Sequence, residues 1–365
     1  MKEKLSVHLV TWNGSKYIPY LFDSLKKQTF SDWKLVILDN GSEDDTVAMI
    51  KKELTDNRLQ TTDSFVDVEF IEKKQNLGFA GGHNFLFQKM TNSEQGTEYF
   101  LLLNQDMYLQ PDVFEKLVKF LNENKDVASV TPRLMKWNFS QIDIDFSESL
   151  TNYVDSLGLK IMKNRRVVEK YVGKDWDEKK AKMELSFRTQ DEALEVFGVS
   201  GALPMYRRNA IEKVQFSDGN FFDNLYESYK EDVDLSWRLR LSGFKSFVLL
   251  DAVTYHDRSA GGQERLGDKT SAENKKNQSA WVKYHSYKNH LMTLYKNEYG
   301  KNFSLDFLFI IWYELKKFVY FLLFDRKVLK GLSVIWENRK LLKQSREEVK
   351  QMRNVSYKEL RIWWK

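Results

Sequence analysis

Cysteine is absent from all 365 residues, which excludes a disulfide framework and a thiolate metal site. A reducing compartment is compatible with that. Long apolar runs are missing too. The longest unbroken one in the C-terminal region, Phe307 to Tyr313, falls far short of the ~18 residues of a membrane-spanning helix. The opening "MKEKLSVHLVTW" has no signal-peptide core, so the start of the chain is expected in the cytoplasm. No internal repeat or low-complexity tract occurs. The glycine-rich stretch "NLGFAGGHN" (76–84) is not followed by Gly-Lys-Ser/Thr and lacks the GxGxxG spacing. Neither a Walker loop nor a dinucleotide fingerprint is therefore present. Histidines number only five, so each is worth tracing.

What is present suits a folded protein: 42% hydrophobic and 30% charged residues, with 14% aromatics. The net charge of +5 hides an asymmetry. Residues 283–365 carry a net +10, with 18 Lys+Arg against 8 Asp+Glu, and the remainder is at −5. A mildly acidic body thus ends in a basic tail, and basic tails find phosphate on nucleic acid, anionic lipid or substrate. No recognised nucleic-acid module accompanies this one, so nucleic acid is not an expected partner.

The first half alternates strand and helix signals. "LSVHLVTW" (5–12), "WKLVILDNGS" (33–42), "VDVEFIE" (66–72) and "YFLLLNQD" (99–106) read as strands. Helical spacing separates them over 17–28, 43–54, from 81 and from 111. This alternation predicts an α/β fold whose mostly parallel sheet is flanked by helices. Ligands then bind beyond the carboxyl ends of the strands. The polar clusters Thr11–Ser15, Asp39–Asp45 and Asn104–Asp106 all fall there. Residues 138–195 read as an irregular insertion that shapes the site, with candidate strands around "RRVVEKYVG". From about residue 279 the chain reads as helical. The expected division is a catalytic domain over 1–278 and a basic, aromatic-rich helical region over 279–365. Segment 305–325 and the terminal "RIWWK" suit a membrane interface. A buried hairpin against the body, or packing in a homodimer, is the competing expectation.

Candidate chemistry lies in four places. Asp106 ends an apolar strand, and a carboxylate is costly to bury unpaired. In "YKEDVDLSWRLRLSGFK" (229–245), Glu231, Asp232 and Asp234 crowd the start of a helix. They are either acids complementing its dipole or a carboxylate base held there. His256 follows another apolar strand, beside Asp257, and alone could be a satisfied polar group. The turn at 76–84 lets backbone N–H groups approach phosphate.

Taken in order, "VTWNGS", "ILDNGSEDDT", "NLGFAGGHN", "LLLNQD", "VSGALPMYRR", "KEDVDLSWRLRLSGF" and "YH" resemble the family 2 inverting glycosyltransferases of the GT-A fold. The likeness spans roughly residues 5–260. Within the family it is greatest to the rhamnosyltransferase-like branch that builds bacterial surface polysaccharides. The resemblance implies that Thr11, Asn13 and Asp39 hold the nucleotide base, and that Asn76, Gly78 and Asn84 lie along the nucleotide and diphosphate. The family's D-x-D motif falls on Asn104-Gln105-Asp106. That implies Asp106 as ligand of a divalent metal, Mn²⁺ or Mg²⁺, with Asn104 and Gln105 beside the nucleotide and His256 as a further metal ligand. Asp232 would be the general base next to Glu231, with Gly201, Ala202, Trp237 and Arg238 around the donor and acceptor. The implied donor is a dTDP- or UDP-sugar. The implied acceptor is a glycan or a polyprenyl-diphosphate-linked glycan, met at the inner face of the cytoplasmic membrane through 305–365. A sugar nucleotidyltransferase is the weaker enzymatic alternative, because "TWNGSKYI" offers no basic glycine-rich grip for a triphosphate. A sugar-nucleotide-binding relative without activity is the other alternative, raised by the amide at position 104.

Overall fold

Apolar runs buried on both faces form parallel strands; three such runs and one strand of alternating burial build one half of the sheet. The computed structural model describes residues 4–54, 58–61, 64–93, 97–177, 193–258 and 278–364. Strands β1 (Leu5–Thr11), β2 (Trp33–Asn40), β4 (Phe65–Lys73) and β5 (Tyr99–Asn104) pair in parallel in the order β5-β1-β2-β4. A short β3 (Arg58–Gln60) adds antiparallel to β4. Helices Ile18–Lys26, Thr46–Glu53, Gly78–Ser93 and Val113–Glu123 connect and cover these strands. The α/β reading therefore holds, with helix and strand bounds within a few residues of those read from the sequence.

Past β5 the sheet changes sense. Strand β12 (Met205–Arg207) inserts antiparallel between β5 and β7 (Val127–Trp137). β7 then pairs parallel with β13 (Lys245–His256). Two pairings of this half position the site. β6 (Met107–Leu109), the apolar stretch just after Asp106, pairs antiparallel with the end of β13, Met107 opposite His256. β8 (Leu150–Ser156) pairs antiparallel with β7. The insertion supplies β8, β9 (Leu159–Ile161) and β10 (Val167–Glu169), the last inside the expected "RRVVEKYVG" segment. Its residues 178–192 lie outside the described residues. So do residues 259–277, which abut the expected division at 278/279.

The C-terminal helices pack on the body through polar groups. Arg165 is fully buried and reaches Glu298 and Asp306, at 3.0 Å from the latter. Arg361 adds bonds of 2.9 and 3.1 Å to Asp306. Asp234 accepts from Asn297 at 2.7 Å and lies 3.1 Å from Lys296. In helix Gly300–Phe324 the buried positions are Asn302, Asp306, Ile310, Lys317 and Phe321. Leu305, Leu308, Trp312, Leu315, Val319 and Leu322 are exposed, Leu308 by 77% and Trp312 by 62%. The helix thus buries Asn302, Asp306 and Lys317 beside Ile310 and Phe321 and turns a stripe of apolar residues to solvent, which a surface helix normally buries. Among the described residues, no helix is long and apolar enough to cross a membrane.

Candidate active site

The carboxyl ends of β1, β2 and β5 meet as expected, and each is held by side chain to backbone bonds. Thr11 ends β1, fully buried, and its hydroxyl donates to Asp39 at 3.1 Å. Asp39 also accepts from the Gly41 and Ser42 amides at 3.2 and 2.9 Å and from the Ser42 hydroxyl at 2.5 Å. A base N–H reaching Asp39 would share an oxygen already bonded to protein. Asn13 is exposed, with φ at +47°. Its amide donates to Ser42 and its side-chain oxygen accepts from Glu43.

Gln105 does something the sequence did not indicate. Its carboxamide accepts from the Trp12 amide and donates to the Trp12 carbonyl, both at 2.9 Å. The side chain expected beside the nucleotide thus bolts the loop after β1 to the end of β5. A Cβ at Gly14 would stand 2.2 Å from that carboxamide, so a larger residue there would push the carboxamide off Trp12. The turn before helix Gly78–Ser93 is held in a similar way. The Asn76 side chain accepts from Asn40 and from the Gly78 amide. Gly78 has φ +72°, and a Cβ on it would lie 2.7 Å from the Glu227 carbonyl. Asn84, expected along the nucleotide and diphosphate, is buried, donates to the Phe222 carbonyl at 2.8 Å and accepts from the Phe222 amide at 2.9 Å. Both ends of its amide clip the helix to the 222–224 loop.

The pairing of β6 with β13 brings Asp106 against His256. His256 Nε2 lies 3.4 Å from Asp106 Oδ1, and Nδ1 bonds Asp155 Oδ2 at 2.9 Å. Burial alone would lower the His256 pKa, but Asp106 and Asp155 outweigh it and raise it to about 10. Asp155 is held in turn by Arg258 at 3.0 Å, and Arg258 reaches Glu169 at 3.3 Å. Asp155, Glu169 and Arg258 were missed by the sequence reading. Arg258 stands two residues past His256 and was visible; Asp155 and Glu169 lie in the irregular insertion, where no periodicity marks them.

The fit of a divalent cation can be judged from these groups. Two ligands at right angles, each ~2.1 Å from an octahedral cation, lie about 3.0 Å apart. The Asp106–His256 pair is close to that, and Asp155 fixes the ring as carboxylates commonly fix metal-binding histidines. No cluster of three or more His, Cys, Asp or Glu suited to a metal occurs among the described residues. The pair therefore fits a cation that takes its remaining ligands from elsewhere, as diphosphate oxygens would supply.

The acidic helix start Glu231–Leu241 gives its three acids three different situations. Asp234 is fully buried and bonds Arg238 at 3.1 Å as well as Lys296 and Asn297. Glu231 is buried with one carboxylate oxygen unpartnered among the described residues. Burial, then the neighbouring Asp232, raises its pKa to about 8. Asp232 is half-buried and lines a cavity of ≈ 320 Å³ together with Glu231 and Lys230. It accepts from the Val233 amide at 2.8 Å and the Gly201 amide at 3.3 Å, and burial raises its pKa. Ala202, next to Gly201, accepts from the Asn104 amide at 3.2 Å. A short bonded path, Asn104–Ala202–Gly201–Asp232, therefore links the end of β5, two residues before Asp106, to Asp232.

Trp237 and Arg238 do not line that cavity. Trp237 is buried against Phe197 and Trp364. Arg238 is fully buried, bonding Asp234 and the carbonyls of Val214 and Phe221. Both are packing residues of the helix that carries Asp232. The far wall of the cavity comes from the C-terminal region, including Tyr287, His290, Tyr313 and Lys317.

Residues 6–215, more than half of the chain, match the family described as "Glycosyl transferase family 2". A segment of 66 residues is 39% identical to protein CgeD of Bacillus subtilis (strain 168), covering 18% of this chain and 16% of that protein. A segment of 103 residues is 28% identical to the teichoic acid poly(glycerol phosphate) polymerase of Staphylococcus epidermidis, covering 28% of this chain and 13% of that protein. The match thus spans well under two thirds of the length of either relative. The crystal structure of GalNAc-T7 with UDP, GalNAc and Mn²⁺ superposes with a TM-score of 0.54 at 13% identity. It covers 81% of this chain and 48% of that one, and the likeness is one of fold.

Proposed function

Because this chain belongs to glycosyl transferase family 2, we propose that it is an inverting, divalent-metal-dependent glycosyltransferase. It moves rhamnose or a similar sugar from a dTDP- or UDP-linked donor to a hydroxyl of a glycan or polyprenyl-diphosphate-linked acceptor. Thr11, Asn13 and Asp39 receive the base, and Asn76, Gly78 and Asn104 border the nucleotide. Asp106 and His256 would hold Mn²⁺ or Mg²⁺, which would supply charge to offset that gathering on the departing diphosphate.

Asp232 faces the cavity on the acceptor side. In the reaction it takes the proton of the acceptor hydroxyl as that oxygen bonds the anomeric carbon. The bond from that carbon to the diphosphate oxygen breaks on the opposite face, which inverts the centre. Burial makes Asp232 a stronger base than an exposed aspartate, which suits the step. Glu231 sits beside it, and Gly201 and Ala202 back the sugar. The observation that carries this reading is the Asn104–Ala202–Gly201–Asp232 path. It ties the end of β5, two residues before Asp106, to Asp232, which supports a division of labour between Asp106 on the metal side and Asp232 on the acceptor side.

We assign 1–278 to catalysis and 279–365 to a helical region resting on the inner membrane surface. The solvent-facing apolar stripe of helix Gly300–Phe324 supports the second assignment. So does the net +10 of residues 283–365, which complements anionic lipid. The polymerase relative is named for teichoic acid, which accords with an envelope glycan as product.

A thermal-shift panel of dTDP-, UDP- and GDP-sugars, with and without Mn²⁺, tests the donor assignment. A dTDP- or UDP-sugar should raise the melting temperature, more so with Mn²⁺, while Mn²⁺ alone should shift it little. Stabilisation by Mn²⁺ alone, equal to that with nucleotide, would contradict a site completed by the donor.

A further inference from the structure

The cavity beside Asp232 contains a cation that the transfer mechanism does not use. Lys230 lines it, immediately before the helix that carries Glu231 and Asp232. The other cations on the same walls, Arg166, Arg258, Lys283 and Lys317, each have an interaction of their own. Arg258 pairs with Asp155 and Glu169, Lys283 lies 3.1 Å from Asp325, and Lys317 lies 3.3 Å from Glu314. The Lys230 ammonium makes no hydrogen bond or ion pair among the described residues, although Asp232, Glu169 and Glu231 act on it electrostatically; its carbonyl accepts from the Asp234 amide at 3.0 Å. Burial lowers its pKa against the pull of Asp232 and Glu169. An ammonium placed in a cavity without a contact partner is an unfavourable arrangement unless a ligand completes it.

The backbone holds Lys230 there at a cost. Tyr229 and Lys230 have φ of +70° and +72°, two successive non-glycine residues in the left-handed region. Such strain persists only where the surroundings impose it, and it clusters at functional sites. Asn289, fully buried in helix Ala280–Asn297, imposes it here. Its amide donates to the carbonyls of Ser228 and Tyr229 at 2.9 and 2.7 Å. A C-terminal helix thus clamps the turn that aims Lys230 into the space facing the base.

We propose that the acceptor is anionic near its reacting hydroxyl, and that Lys230 recognises its phosphate or carboxylate within the cavity that Asp232 faces. The inference rests on the glycosyltransferase reading, since it is that reading that makes this the acceptor side. The same chemistry could come from the donor's diphosphate, so the experiment separates the two sources.

The whole protein, its Lys230→Gln and its Lys230→Arg variants, each confirmed folded by circular dichroism, are titrated calorimetrically. The probes are glucose 6-phosphate and glucose in EDTA, and UDP and dTDP with Mn²⁺. Glucose 6-phosphate should bind the wild type and Lys230→Arg, and bind Lys230→Gln at least ~10-fold more weakly, the loss of one charge-assisted hydrogen bond. Glucose should bind none of the three measurably, and nucleotide affinity should be the same in all. Equal binding of glucose 6-phosphate to Lys230→Gln, or no binding to the wild type, overturns the proposal. An equal loss of nucleotide affinity in Lys230→Gln would assign the cation to the donor and overturn it as well. If no variant binds nucleotide, the glycosyltransferase reading fails, and the phosphate titration alone still decides whether Lys230 is an anion site.

Discussion

Three acids within four positions have distinct tasks because their surroundings differ. Asp234 is a buried hub for Arg238, Lys296 and Asn297, Asp232 faces the cavity, and Glu231 is buried with an oxygen unpartnered among the described residues. The Glu231 pKa is raised on folding, so its uncharged form is the one the fold favours. Its stabilising contribution is complete below the ordinary glutamate range and is lost as pH rises towards about 8. The wild-type melting temperature should therefore fall between pH 5 and pH 8.5. Glu231→Gln should flatten that fall and be more stable at the alkaline end, by on the order of 2 kcal/mol. Parallel melting curves for the two proteins would refute the assignment. Gly14 offers a second test at this scale. Its Cβ would displace the Gln105 carboxamide from Trp12. Gly14→Ala should cost ~1–3 kcal/mol of stability and weaken nucleotide binding about 10-fold. Unchanged calorimetric affinity would show that the loop after β1 does not serve the donor.

Among the elements, helix Gly300–Phe324 departs most from what its sequence suggested. Glu314, Lys316 and Lys317 looked like interruptions of an apolar run. In the fold, Asn302, Asp306 and Lys317 are buried on the inward face, and Glu314 meets His290 at 2.8 Å. One face of the helix packs on the body, as the core expectation has it, and the other leaves an apolar stripe exposed, which is where the proposed membrane contact would lie. We expect the outer stripe to bind vesicles containing anionic lipid, and the double substitution Leu308→Glu, Trp312→Glu to remove most of that binding without loss of fold. Sedimentation with vesicles reads the first, and circular dichroism the second. A stable dimer that ignores vesicles would instead mark the stripe as a contact between copies.

Strands β1, β2, β4 and β5 were legible because parallel strands covered on both faces read as apolar runs or regular alternation, and their polar ends mark one edge of the sheet. The antiparallel insertion of three-residue β12 between β5 and β7 was not legible, since so short a strand carries no period. β6 escaped for the same reason, although its pairing with β13 is what sets Asp106 against His256. The bonds that engage Asn84 with the Phe222 backbone and Gln105 with the Trp12 backbone, and the packing that buries Trp237 and Arg238, depend on long-range contacts that motif order does not encode.

At the scale of the whole molecule, body and tail form one functional unit. The C-terminal helices close the cavity opposite Asp232, anchor the helix that carries it through Lys296 and Asn297, and clamp the turn at Tyr229. Their outer face carries the apolar stripe on the basic end of a chain whose remainder is acidic. On the function proposed above, an acceptor anchored in lipid would present its hydroxyl to Asp232 while the nucleotide enters over the sheet edge.

The most direct test is nucleoside diphosphate release from the preferred dTDP- or UDP-sugar with membrane extract as acceptor source, comparing the wild type with Asp232→Asn. The isosteric amide removes the base and leaves donor contacts in place. Release should fall by a factor of about 10²–10⁴ while calorimetric donor affinity with Mn²⁺ stays within about threefold. A folded Asp232→Asn protein that releases nucleoside diphosphate at the wild-type rate would contradict the account.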